Sequence, residues 1–108
     1  MRAVIALRVY HLKGRDFEVP MCGAAYLTSY HPQLCDWFRI GEEILCYSSP
    51  QNCAELLLTV LGDDKRLASV RSAARARSLQ DHTWETRFTR LFEMIRNIQD
   101  GSPGPSVA

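Results

Sequence analysis

The sequence predicts a mixed α/β domain in which short parallel strands alternate with helices and three C-terminal helices follow. Three observations carry this. Short apolar runs at 24–29 and 43–47, next to Gly and turn residues, read as strands. Patterns with helical spacing stand between and after them. Strands separated by helices favour parallel pairing, because antiparallel neighbours are commonly joined by tight hairpins. The 108 residues suffice for one modest domain. Parallel strands are normally covered on both faces. So few strands are short of a complete doubly wound sheet, and the pattern reads as part of a larger one.

Residues 1–12 are an N-terminal segment of uncertain structure. Val4, Ile5, Leu7 and Val9 suit a strand or a helix end, closed by Tyr10 and His11. Lys13-Gly14-Arg15-Asp16 is a polar break. A short helix follows from Phe17, with Asp16 near its start and Gly23 ending it in a left-handed conformation. Pro20 fits the first helical turn, where its missing N–H costs nothing, which puts the start at Phe17–Val19. Residues 24–29 form the first strand. Tyr30-His31-Pro32 turns the chain, and Gln33 to Phe38 make a short helix with Leu34, Trp37 and Phe38 inward, punctuated by Gly41. Residues 43–47 form the second strand.

Ser49-Pro50 is the clearest local signal: a capping hydroxyl, then a ring that presets φ. The helix runs through Ala54, Leu57, Leu58 and Leu61 to Gly62. Asp63 or Asp64 caps the next, which carries Leu67, Val70 and Ala74 on one face. Lys65, Arg66, Arg71, Arg75 and Arg77 lie mostly on the other. Thr83 caps the last helix, where Trp84, Phe88, Leu91, Phe92, Ile95 and Ile98 form a stripe expected in the core. The Gly/Pro/Ser-rich stretch 101–108 is expected to be a disordered tail.

Composition excludes several function classes. Lys and Arg number 13 against 12 Asp and Glu, so no global field draws the chain to nucleic acid or an anionic membrane. The arginines at 66–77 have Asp63, Asp64, Asp81 and Glu85 as neighbours and read as a solvated face. No apolar run approaches the roughly 18–20 residues of a membrane span. The stretch Val4–Leu7 is broken by Arg8 and lacks a cleavage site, unlike a signal peptide. Cys22, Cys35, Cys46 and Cys53 are irregularly spaced in apolar or helical contexts. They read as buried free thiols of a reducing, cytoplasmic compartment rather than a zinc set. His31, after a strand C-terminus, is a further candidate site residue. His82 reads as a junction residue near a helix C-terminus, where a cation is favoured.

Four blocks in order carry a family resemblance. Lys13 to Tyr30 contains Arg15-Asp16-Phe17-Glu18, then Cys22-Gly23, then Leu27-Thr28 before Tyr30. Gly41-Glu42-Glu43-Ile44 with Tyr47 comes next, followed by Ser49-Pro50 to Leu61. His82-Thr83-Trp84 with Arg87 closes the series. Together, over about 12–98, they resemble the donor-site part of GT-B glycosyltransferases and, more narrowly, the spore-protein CgeB-like glycosyltransferase family.

The resemblance implies a partial Rossmann-like C-terminal domain over residues 13–100, binding a nucleotide-sugar donor, with an unknown glycosyl acceptor. Glu18 matches the position whose carboxylate accepts from the donor's ribose hydroxyls. Its two oxygens suit two adjacent hydroxyls. By position, Gly14 would let backbone approach the diphosphate, the helix start would face the same charge, and Lys13 and Arg15 would contact phosphate. Tyr10 stands eight positions before Glu18, where many GT-B enzymes carry a second Glu. No metal and no cofactor beyond the donor is implied. An acceptor domain is absent from these residues, so the isolated chain is expected not to catalyse transfer. With that domain absent, part of the last apolar stripe would be exposed and favour self-association. The alternative is a non-catalytic α/β interaction module.

Overall fold

The computed structural model describes residues 11–101. The expected strand at 3–9, most of the segment 1–12 and the tail beyond 101 lie outside them. The order is α1 (Arg15–Met21), β1 (Leu27–Ser29), a 3-10 helix (Pro32–Asp36), β2 (Leu45–Tyr47), α2 (Pro50–Leu61), α3 (Asp64–Asp81) and α4 (Trp84–Gln99). β1 and β2 pair in parallel, with Leu27 opposite Leu45 and Ser29 opposite Tyr47. This is the α/β architecture of a partial Rossmann-like domain.

Local chemistry explains most boundaries. The Ser49, Asp63 and Thr83 side chains accept the N–H groups of Asn52, Arg66 and Thr86 at 3.0–3.1 Å, capping α2, α3 and α4. Gly23 has φ 78°, the left-handed turn that stops α1. Its carbonyl accepts from Arg71 Nε at 2.8 Å, tying α1 to α3. α1 starts at Arg15, earlier than expected, and Pro20 lies in its second turn. The ring forfeits one helical bond there but is fully buried. Asp16 is also buried: its carboxylate accepts the Lys13 N–H and the Tyr26 hydroxyl, pinning the start of α1 to the chain entering β1.

Both strands are shorter than expected. Residues 24–26 precede the ladder, although the Tyr26 carbonyl accepts the Leu45 N–H. Glu43 belongs to a turn, where it accepts the Arg39 N–H at 2.8 Å and pairs with Arg77 Nε at 3.1 Å. Arg77 also holds Asp81 at 2.8 Å, so this arginine joins the β2 approach to α3 rather than facing only solvent. Those two carboxylates, Asp81 first, raise its pKa. The expected 33–38 helix is a 3-10 helix over 32–36. Leu34 and Phe38 are buried in it or just after it.

The core has two parts. Leu34, Phe38 and Ile44 are buried, with Phe17, Tyr26 and Trp37 among the side chains packed on them. Leu45, Val60 and Val70 form the second, flanked by Leu27, Leu56 and Leu67. In α2 the buried face is therefore that of Leu56 and Val60, while Leu57, Leu58 and Leu61 are exposed. No residue of α4 is buried. Trp84 is 70% exposed and Phe92 58%, so the stripe expected in the core lies on the surface. The thiols differ too: Cys22 and Cys35 are exposed, Cys46 and Cys53 half-buried. Burial pushes the Cys46 thiol up to about 11, keeping it protonated and unreactive at neutral pH.

Candidate functional site

A cavity of about 270 Å³ opens between α1 and the α3–α4 junction. Helical spacing puts Gly14, Phe17, Glu18 and Met21 on one side of it, at i, i+3, i+4 and i+7. Lys13 stands at the α1 end. Trp37, His82, Trp84 and Arg87 supply the opposite wall. Three of the four candidate residues, Lys13, Gly14 and Glu18, thus meet in one cleft.

Glu18 is exposed, and among the described residues its carboxylate makes no hydrogen bond or ion pair. It folds back over Gly14: a Cβ placed there would stand 3.3 Å from Glu18 Oε1. Gly14 itself has ordinary helical dihedrals, φ −52° and ψ −37°. Its lack of a side chain therefore makes room for the carboxylate and serves no unusual turn. The buried carboxylate tied to arginine is a different one, Glu43.

Arg15 goes elsewhere. It stands about 100° around the helix from Gly14, and it lines a second cavity of about 430 Å³ with Tyr26, Thr28 and His31. Lys13 borders both cavities. α1 has only seven residues, so a helix-end field adds little and the side chains must do the binding.

The aromatic wall is built around His82. Its ring lies 4.8 Å from Phe38, 5.1 Å from Phe17 and 5.7 Å from Trp37 between centroids. Nε2–H donates to the Trp37 carbonyl at 2.9 Å, and the buried Nδ1 finds no partner among the described residues. Burial lowers the His82 pKa, opposed in part by the Trp37 carbonyl and assisted by the Arg87 charge. His82 is thus a neutral packing residue and not the helix-end cation its position suggested. Buried His31 starts the 3-10 helix at the second cavity, away from Glu18.

Arg87 is the cleft residue that sequence reasoning did not single out as a site. It was visible only as the last letter of the closing motif. Its guanidinium carbon sits 4.1 Å above the Phe17 ring and 5.7 Å from the Trp37 ring. The cleft thus combines a free acceptor carboxylate, aromatic faces and two cations. That donor set suits a ligand with vicinal hydroxyls and an anionic group. Among the described residues no group of three or more His, Cys, Asp or Glu could hold a metal ion, and no helix is long and apolar enough to cross a membrane.

The family model described as glycosyl transferase-like matches residues 2–93, a stretch that contains every residue lining the cleft. Searches of curated proteins and of solved structures give no match.

Proposed function

The chain belongs to the glycosyl transferase-like family, and from that premise we propose that its cleft binds the nucleotide-sugar donor of a glycosyltransferase. Glu18 accepts hydrogen bonds from the ribose hydroxyls, and Lys13 lies on the phosphate side. Gly14 leaves room for the carboxylate. Arg15 acts from the neighbouring cavity, with a weaker hold on the same anion. The observation that carries the reading is the uncommitted Glu18 carboxylate, laid over Gly14 at the edge of the cleft. Transfer itself belongs to a two-domain GT-B enzyme of the CgeB-like kind, whose second domain brings the acceptor. The described residues alone are inactive in transfer. The free thiols favour a reducing, cytoplasmic setting.

The test is calorimetric titration of the full chain with uridine, guanosine and thymidine diphosphates and their sugar conjugates. One of these series binds, and Glu18→Gln weakens it by roughly 10-fold or more, the loss of charge-assisted bonds to hydroxyls. Equal affinity in wild type and Glu18→Gln refutes the ribose role.

A second reading is favoured by α4. Phe88, Phe92 and Ile98 are 49%, 58% and 66% exposed along one helix, an apolar surface that monomers rarely leave uncovered. On this reading the chain is a non-catalytic interaction module that self-associates through α4. Light scattering at increasing concentration then shows a dimer or larger species, and Phe88→Glu with Phe92→Glu restores the monomer mass. A wild-type chain monomeric throughout rejects it.

A further inference from the structure

We propose that Arg87 is the anion-holding residue of the cleft, gripping the diphosphate of a ligand whose sugar hydroxyls engage Glu18. This rests on the donor reading of the cleft and assigns it a subsite on α4, an element remote in sequence from α1.

Arg87 lacks the partners that a guanidinium in its setting usually has. A half-buried guanidinium ordinarily meets a carboxylate or a row of carbonyls, because its five N–H donors are costly to leave unmet. Among the described residues the Arg87 side chain has neither an ion pair nor a hydrogen bond, and its Nη2 is buried without a partner. Two other arginines of the fold show the usual arrangement: Arg77 holds Glu43 and Asp81, and Arg71 the Gly23 carbonyl. Arg87 instead rests on the faces of Phe17 and Trp37. Such stacking fixes the plane of the group without using its in-plane donors.

Its position favours a ligand over accidental vacancy. Arg87 lines the same cavity as Lys13 and Glu18. The neutral His82 beside it adds no competing charge and no carboxylate. Two cations against one carboxylate leave the cleft net positive. A planar fork with fixed orientation suits two oxygens of a phosphate group, which a lysine would hold only as a point charge. The Thr83 cap sets the α4 start, and Arg87 N–H bonds the Thr83 carbonyl at 3.0 Å, so the side chain leaves the first turn of a pinned helix.

The experiment titrates the full chain with pyrophosphate, uridine diphosphate, guanosine diphosphate, and the matching nucleosides. Arg87→Gln is expected to weaken pyrophosphate and the binding nucleoside diphosphate by roughly 10- to 100-fold, while leaving nucleoside affinity within about twofold. Arg87→Lys recovers part of the loss, because charge returns without the fork. Glu18→Gln shows the converse, weakening nucleoside and sparing pyrophosphate. Pyrophosphate binding that depends on Arg87, with no nucleoside bound, upholds the anion subsite and rejects the donor reading. Wild-type affinity for pyrophosphate and nucleoside diphosphate in Arg87→Gln overturns the subsite, as does a wild-type chain that binds none of the phosphates. If Arg87→Gln fails to fold, the Arg87 Nε–H resonance of the wild-type chain decides. Pyrophosphate must shift it, and an unmoved resonance at saturation overturns the assignment.

Discussion

Leu34→Ala lowers the unfolding free energy by about 2–5 kcal/mol, the cost of emptying a fully buried leucine site. Leu34 has no exposed surface and sits with Phe38 and Ile44 at the centre of the first core cluster, on which Phe17 and Trp37 also pack. The side chains clustered around Leu34 come from separate stretches of the chain, including α1 and residues 37–46, which limits how far the site can collapse to fill the void. Domains of this size hold only roughly 5–15 kcal/mol in total. A large part of the folded population is therefore at risk from one substitution. Leu58→Ala is the control: its leucine is 78% exposed, and the expected change is within about 0.5 kcal/mol. Urea denaturation followed by tryptophan fluorescence separates the two. A midpoint for Leu34→Ala equal to that of Leu58→Ala would place the core elsewhere. The cleft inherits this sensitivity, because Phe17 and Trp37 pack on the same cluster and also carry Arg87.

His82→Ala is expected to cost about 2–4 kcal/mol, part cavity and part an unpaired Trp37 carbonyl. The imidazole touches Phe17, Trp37 and Phe38 together, so its loss removes the piece that locks the α3–α4 junction against α1. The same burial makes the residue an acid-sensitive point. Desolvation holds its folded-state pKa below the ordinary histidine value of about 6.5. In the unfolded chain the ring protonates as pH falls through that value, while in the folded chain it resists. Unfolded protein then binds more protons, and stability is lost as pH drops below about 6.5 until the folded pKa is passed. Above that window the contribution is fully present. His82→Gln can still donate to the Trp37 carbonyl and cannot titrate, so its denaturation midpoint should fall less steeply between about pH 7 and pH 5. An identical slope in both proteins would assign the acid loss to another group.

Parts of this fold were legible because their causes are local. Ser49, Asp63 and Thr83 each satisfy an N–H three residues ahead, and no distant residue is needed. Gly23 stops α1 for an equally local reason. Pro20 misled because its cost is local but its compensation, complete burial of the ring, is tertiary. Strand ends retreated to three residues each because pairing needs a partner, and Glu43 found Arg77, 34 residues away, instead of a ladder.

The candidate site divides along the same line. Glu18 stood out by its motif, and its helical spacing from Gly14 placed the two on one face. Arg15, three positions before Glu18, shares its side of the helix by spacing, and only the cavities separate the two. Arg87 could not be assigned from sequence, because a free guanidinium looks like any surface arginine until its neighbours are known.

For this protein, then, residue order alone determined helix caps, the parallel α/β alternation and the face that carries Glu18, all consequences of short-range hydrogen bonding and periodicity. Tertiary structure decided which apolar faces are covered. α4 has the amphipathic stripe of a core helix, yet none of its residues is buried. Periodicity states that a face is apolar, whereas burial requires a second surface, and contacts between distant segments alone supply one.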